Sequence, residues 1–193
     1  MLKEIHHRVK NNMQMISTLF DLQLKYGGDQ DPPTLFRNCQ NRIRSMALIH
    51  ESLYHTDTLA SINFRQHLQK LVNRLLSSFG SSVQGIRTEV AGAELHLGIN
   101  QAVPAGLVAS EIIVNCLKHA FPGQRQGEIH ISLEVADSQR LLEIKESGIG
   151  LSREFSLEKP TTFGWLMITN LMKQLEGTIT VASDGGTTCR MIF

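Results

Sequence analysis

Two long stretches of helical apolar spacing, separated by a segment that cannot be helical, constrain the fold of this chain most. The first runs from Leu2 to about Leu24 and the second from about Thr34 to Leu53, with apolar residues three or four positions apart. Residues 26–33 between them contain two glycines and two prolines, which end a helix. The sequence therefore predicts a helical hairpin. Because one hairpin cannot bury its outward apolar stripe, we expect a homodimer in which two hairpins form a four-helix bundle.

The rest of the chain mixes helical spacing with the alternation typical of strands. The predicted elements are helix Ile62–Phe79, strands at 86–90 and 95–97, a helix opened by Pro104 and reaching Leu117, antiparallel strands at 129–133 and 141–144, helix Trp165–Leu175, and a closing hairpin of 178–181 and 188–193. This order predicts an α/β sandwich, a mixed sheet with helices on one face. The chain is therefore expected to be α+β, with a hairpin domain at 1–60 and a sandwich domain at 61–193.

Bulk properties exclude several classes of protein. A net charge of +1 argues against a general nucleic-acid surface, and no window is apolar enough to form a membrane segment. The three cysteines are too widely spaced for a disulfide framework or a zinc site. These features predict a soluble, cytoplasmic protein.

His7 is a candidate nucleophile on the first predicted helix. At about 100° per residue, the apolar stripe centres near Val9; His7 lies about 160° from that centre and His6 about 60° from it. Glu4 and Asn11 share the exposed side with His7. A neutral imidazole attacks a phosphoryl group well. On these residues alone, an inert surface histidine is the more common outcome.

A second group of polar residues lies on one face of the helix that ends near Leu117. Its members, spaced i, i+4, i+7 and i+8, are Glu111, Asn115, Lys118 and His119. An amide or carboxylate oxygen can bind Mg²⁺, and a lysine can neutralise phosphate charge. The alternative is an ordinary solvated helix face.

Two glycine-containing segments complete the candidate site. Residues 146–150 (Glu-Ser-Gly-Ile-Gly) follow a predicted strand, and residues 161–164 (Thr-Thr-Phe-Gly) precede the last predicted helix. Glycines at Gly148, Gly150 and Gly164 let the backbone approach a ligand, and a helix N-terminus offers free amides to phosphate. Each segment alone also fits a simple turn.

Several of these segments together resemble a known family. Residues 2–12 and 46–54 resemble the phosphoacceptor domain of the HisKA_2 class of histidine kinases, which is related to the HWE kinases. Residues 111–122 are similar to the N-box shared by histidine kinases, gyrase and the Hsp90 chaperones. The resemblance implies that His7 accepts the phosphoryl group and that Asn115 coordinates Mg²⁺. It further implies that Glu111 orients the reacting groups.

The same resemblance extends to nucleotide contacts. Lys118 and His119 would face the phosphates, and the two glycine segments match the glycine boxes that hold ATP. Glu146 stands where the family has an aspartate that accepts a hydrogen bond from the adenine amino group. Its extra methylene moves the carboxylate by about 1.5 Å.

The resemblance therefore implies a histidine kinase that uses ATP and Mg²⁺ and passes its phosphoryl group to the receiver domain of a response regulator. No acidic residue follows His7, so Glu4 is the hypothetical base. The main alternative, motivated by Glu146, is a phosphotransfer protein or pseudokinase scaffold that has lost ATP binding. A gyrase-like or chaperone-like ATPase and an anti-sigma-factor kinase are disfavoured because they lack the histidine hairpin.

Overall fold

The structure is a computed structural model. It describes residues 61–193 except 125, 137, 138, 153, 154 and 161, together with residues 36, 39, 40, 42–44 and 47. These last seven residues are helical, as predicted for the second helix of the hairpin. The first predicted helix, with Glu4 and His7, lies outside the described residues.

The described elements are strands and helices, with short helical turns at Gly80–Val83, Cys116–Ala120 and Pro122–Gln124. In chain order they are β1 (Ile62–Asn63), α1 (Phe64–Phe79), β2 (Ile86–Gly92), β3 (His96–Leu97), α2 (Ile99–Asn115), β4 (Gly127–Ala136), β5 (Gln139–Glu146), α3 (Phe163–Gln174), β6 (Thr178–Ser183) and β7 (Thr187–Ile192).

The main sheet has five strands in the order β2-β4-β5-β7-β6. The β2–β4 pair is parallel and the other pairs are antiparallel, so the sheet is mixed, as predicted. β6 and β7 form the predicted closing hairpin across residues 184–186. β1 and β3 pair separately as a small antiparallel ribbon.

One face of the sheet is covered by the three helices, and the other is polar. Alternate residues of β4, namely Ile129, Ile131 and Leu133, are at most 1% exposed and share one core with the inner faces of α1, α2 and α3. The opposite face carries exposed pairs such as Arg87–Glu128 at 2.9 Å. Such exposed pairs contribute little to stability, so burial against the helices is the main stabilising term. The predicted sandwich with helices on one face is confirmed.

Three predicted helix starts are wrong. α3 begins at Phe163 rather than at Trp165. α2 begins at Ile99 rather than at Pro104, because the Gly98 carbonyl accepts hydrogen bonds from Gln101 N at 3.0 Å and Ala102 N at 2.9 Å, which closes a first turn before the proline. α1 begins at Phe64 rather than at residue 62. Asn63, the last residue of β1, caps this helix by accepting a hydrogen bond from Gln66 N at 3.1 Å.

His67 is an unusual core residue on the inner face of α1. It is 1% exposed and stacks on Phe64 with ring centroids 5.7 Å apart, and its ring nitrogens have no hydrogen-bond partner in the described part of the chain. Burial, and secondarily the charge of Lys70, lowers the pKa of His67 to about 4. In the unfolded chain histidine titrates near 6.5, so as the pH falls the unfolded state binds this proton first.

The His67 pKa predicts acid sensitivity. Above pH 6.5 the histidine is neutral in both states, whereas between pH 6.5 and 4 protonation favours the unfolded chain. Its contribution to the free energy of unfolding should fall by about 2 kcal/mol from pH 7 to pH 5. Urea unfolding at pH 7 and at pH 5 measures how much free energy of unfolding is lost between the two pH values. This loss should be smaller by about 2 kcal/mol in His67→Leu than in the parent chain. The control His96→Gln replaces an exposed histidine and should lose as much free energy of unfolding as the parent chain. If His67→Leu also loses as much as the parent chain, the prediction is contradicted.

Candidate functional site

Three segments converge at one end of the sandwich. They are the C-terminal end of α2, the loop that follows β5, and the N-terminus of α3. The loop is fixed to the end of α2 because Ile149 N donates to the Ala120 carbonyl at 3.0 Å. The first turn of α3 lies beside α2, since a Cβ built on Gly164 would be 3.2 Å from Glu111 Oε2. The segments singled out from the sequence are thus brought together.

The polar residues of α2 do not share one environment. Glu111 is 7% exposed, whereas Asn115 is half-buried and makes no hydrogen bond through its side chain in the described structure. Lys118 and His119 are exposed on the π-helical turn Cys116–Ala120. This wider turn breaks the i+7 and i+8 register expected from a regular helix. The two basic side chains therefore lie at the surface and Asn115 is half-buried, while the Glu111 carboxylate is buried.

His119 and Lys118 differ in charge. Partial burial, and then the neighbouring Lys118, lowers the pKa of His119 below its ordinary value. His119 is therefore neutral near pH 7, and Lys118 is the cation of the pair. A neutral imidazole can still donate or accept one hydrogen bond to a ligand.

The loop after β5 depends on its glycines. A Cβ on Gly148 would lie 2.1 Å from the Ala120 carbonyl oxygen, and Gly150 has a φ of +75°. On the other side, a Cβ on Gly186 would lie 2.0 Å from the Glu146 carbonyl oxygen. Any side chain at Gly148 or Gly186 would push backbone away from backbone, so the loop packs here only with glycine.

Glu146 closes this loop on itself. It is 3% exposed, and its Oε2 accepts a hydrogen bond from Gly148 N. The extra methylene of glutamate is thus taken up by a side chain that folds back onto its own loop. Cys116 and Cys189 lie close by, and burial, with a smaller contribution from Glu146, raises the pKa of Cys189 to about 12. The pKa of Cys116 is raised by burial in the same way, so both thiols are protonated and behave as small apolar groups.

Trp165 belongs to the core. It is 9% exposed, and Phe155 from the segment between the two glycine boxes packs edge-on against it, with centroids 4.8 Å apart and planes at 61°. Such a T-shaped pair is a favoured aromatic geometry. The segment 155–160 is therefore held against α3 through this contact.

Arg42 is a site residue that the sequence reasoning missed. Its Nε donates to Glu111 Oε1 at 2.6 Å and its Nη2 to Glu111 Oε2 at 3.0 Å. Its Cζ lies 4.5 Å from the centre of the Phe163 ring, and Arg42 is 5% exposed. One signal was present in the sequence. Arg42 interrupts an apolar stripe with spacings of four and three that contains Leu35, Cys39, Met46 and Ile49.

The convergence of these segments on one end of an α/β sandwich defines a nucleotide-binding domain of the histidine kinase type. The family described as histidine kinase-like ATPase domain matches residues 81–193, and the family described as histidine kinase matches residues 4–79. The chain belongs to the histidine kinase family.

Known proteins show the same relationship. The chain is 28% identical to the sensor histidine kinase PdtaS of Mycobacterium tuberculosis over 183 residues, which cover 92% of this chain and 36% of that protein. It is 22% identical to blue-light-activated histidine kinase 2 of Erythrobacter litoralis over 188 residues, which cover 95% of this chain and 54% of that protein. The chain thus spans between about a third and about a half of the length of these relatives.

A solved structure shares the fold. The histidine kinase domain of the blue-light activated histidine kinase from Erythrobacter litoralis superposes with a TM-score of 0.77 at 18% identity, covering 100% of this chain and 89% of that one. In the part of the chain that the structure describes, we find no helix with the length and apolar character needed to cross a membrane.

Proposed function

We propose that this chain is an ATP-dependent protein-histidine kinase of a two-component system. In this proposal, ATP binds where α2, the loop after β5 and α3 meet, and His7 takes the γ-phosphoryl group. The phosphoryl group then passes to an aspartate in the receiver domain of a response regulator. The convergence of the N-box helix with both glycine boxes, in a chain whose first segment matches the histidine kinase family, carries the proposal.

The site has the chemistry that a nucleotide requires. The adenine would lie at Glu146, whose carboxylate is already oriented by Gly148 N. The phosphates would lie along the backbone at Gly148, Gly150 and Gly164, near the N-terminus of α3. Lys118 supplies the positive charge and the neutral His119 a hydrogen bond.

Mg²⁺ fits the oxygen of the Asn115 amide, which is half-buried and has no other partner in the described structure. When bound, Mg²⁺ would neutralise charge on the phosphates. The protein's own contribution is to hold ATP, to exclude water and to orient the acceptor.

In the transfer step the bond between a ring nitrogen of His7 and the γ-phosphorus forms while the bond to the β-phosphate oxygen breaks, and ADP leaves. The ring carries a proton that must go to a base. Two carboxylates are candidates: Glu4, one turn before His7 in the sequence, and Glu111 of the N-box.

Glu4→Gln separates these candidates. If Glu4 is the base, the initial rate of autophosphorylation falls, on the order of 100-fold, because general base catalysis contributes roughly this much. ATP affinity stays unchanged, because Glu4 precedes the nucleotide domain. Quench-flow labelling and a fluorescent ATP analogue give the two values. An unchanged rate would show that Glu4 is not the base and would leave Glu111.

A homodimer is part of the proposal. Among the described residues of the hairpin, Phe36 and Ile43 are 75% and 39% exposed, and they lie seven residues apart on one helix face. Gln40 and Ala47 on that face are also exposed. A second copy of the hairpin would cover this apolar surface, which supports a dimerisation domain at 1–60 and an ATP-binding domain at 61–193.

Labelling with γ-labelled ATP and Mg²⁺ tests the proposal. The purified chain is expected to take up label that is lost in acid and kept in base, as a phosphohistidine is. A chain that binds ATP but takes up no label would contradict the kinase proposal, provided that circular dichroism shows it to be folded.

One observation favours the phosphotransfer alternative. The Glu146 carboxylate already accepts a hydrogen bond from its own loop and is 3% exposed, so it has less capacity for the adenine amino group. A phosphotransfer protein would bind no ATP but would gain label from a phosphorylated regulator. Titration with ATP, followed by labelling from the regulator, distinguishes the two functions.

A further inference from the structure

The contact between Arg42 and Glu111 joins two parts of the chain that lie 69 residues apart. Arg42 belongs to the hairpin, and Glu111 lies in the N-box helix α2. Both oxygens of the Glu111 carboxylate accept hydrogen bonds from the guanidinium, at 2.6 and 3.0 Å. In this state Arg42 engages both oxygens, while Glu111 Oε2 also lies beside Gly164, where the phosphates are proposed to bind.

The contact should be either fully made or fully broken. Both residues are buried, at 5% and 7% exposure, and a buried charge that loses its partner is strongly disfavoured. The guanidinium also lies over the Phe163 ring, which adds a cation–π attraction at the start of α3. Partial separation would leave a buried carboxylate unpaired. Release therefore requires the hairpin to move away so that water reaches both groups.

The dimer surface and this contact use different sides of the same helix. At about 100° per residue, Arg42 lies about 130° from the centre of the exposed stripe that contains Phe36 and Ile43. A second hairpin can therefore pack on that stripe while Arg42 holds Glu111. Movement within a dimer can break one contact without breaking the other.

We propose that Arg42 is an interdomain latch: its bidentate contact with Glu111 fixes the hairpin to the nucleotide domain and restrains phosphoryl transfer until it opens. This proposal rests on the proposed kinase function and adds a regulatory step to it. Glu111 can accept a proton or orient a reacting group only after Arg42 has left its two oxygens. The same release frees Phe163, at the entrance to α3, from the hairpin.

The test compares Arg42→Met with Arg44→Met in the full chain. Methionine keeps an unbranched apolar stem over Phe163 but removes the charge and every donor. Arg44, two residues further along the same helix, is exposed and serves as a control for the loss of one positive charge. Hydrogen exchange of the hairpin measures release, a fluorescent ATP analogue measures binding, and γ-labelled ATP measures autophosphorylation.

In Arg42→Met we expect hairpin protection against exchange to fall by at least about tenfold. Autophosphorylation should rise several-fold while ATP affinity stays unchanged, and Arg44→Met should match the parent chain in all three measurements. If the hairpin's protection against exchange is unchanged, or if autophosphorylation slows at equal ATP affinity, the latch proposal is wrong. In the second case Arg42 would position Glu111 for the reaction instead.

A double-mutant cycle keeps this test separate from the kinase proposal. Glu111→Gln and the double variant Arg42→Met/Glu111→Gln are compared by exchange alone, which needs no activity. If the two residues form a latch, the second substitution should lower the hairpin's protection against exchange little further than the first does. Additive effects would show that the two residues do not act as a pair. If Arg42→Met shows release but neither it nor the parent chain takes up label, the kinase proposal is refuted, and with it the regulatory role of the latch.

Discussion

The His7→Gln variant is expected to take up no phosphate from γ-labelled ATP while binding ATP as tightly as the parent chain. Glutamine keeps polarity and helix propensity at this position but offers no nucleophilic nitrogen to the γ-phosphorus. Since the proposed nucleotide contacts all lie in residues 111–164, removal of the imidazole should leave them intact. Labelling of His7→Gln should therefore be lost completely, while its affinity for ATP should not change.

His6→Gln is the matched control. It removes the neighbouring imidazole, which lies nearer to the apolar stripe of the predicted helix, and should retain labelling. Label that persists in His7→Gln and disappears in His6→Gln would move the acceptor by one residue. Label that persists in both would place it elsewhere in the chain. Separating binding from labelling also ensures that a misfolded variant is not taken for an inactive one.

Gly148→Ala should weaken ATP binding on the order of 10- to 100-fold. The new methyl group would meet the Ala120 carbonyl oxygen at 2.1 Å, so either the loop or the end of α2 must shift. Overpacking of this kind typically costs about 1–3 kcal/mol, and each 1.4 kcal/mol is about a tenfold change in affinity. The shift would also disturb Gly148 N, which orients the Glu146 carboxylate.

Gly98→Ala is the control for Gly148→Ala. A Cβ on Gly98 would meet no atom within 4 Å, and Gly98 has an ordinary φ of −66° before α2. Isothermal titration with ATP, alongside thermal unfolding, should show weakened binding in Gly148→Ala alone. Equal affinity in the two variants would mean that the loop does not contact the nucleotide as proposed.

The sequence predicted the order of elements because periodicity directly reports which face of each element is buried. Alternation at Ile129, Ile131 and Leu133 and the glycines near 185 were sufficient for β4 and the closing hairpin. Helix starts were less accurate, since the Asn63 side chain and the Gly98 carbonyl each cap a helix in a way that no periodic pattern displays.

The candidate site was predicted as a set of segments but not as a geometry. Periodicity assigns Glu111 and Asn115 to one face, yet it says nothing of a partner 69 residues away. Only the three-dimensional structure shows that Glu111 is buried and paired with Arg42. The π-helical turn at residues 116–120 was likewise not predicted, because it depends on how α2 ends against the loop after β5.

The three cysteines give this chain a built-in attachment point for probes. Cys116 and Cys189 are buried, and their raised pKa values leave almost no thiolate at neutral pH to react with a maleimide. Cys39 is half-buried and lies three residues before Arg42, about one helical turn away. A spin label or fluorophore added to the unmodified protein would therefore attach mainly beside the Arg42–Glu111 contact. Hairpin movement could then be followed without removing a single native cysteine.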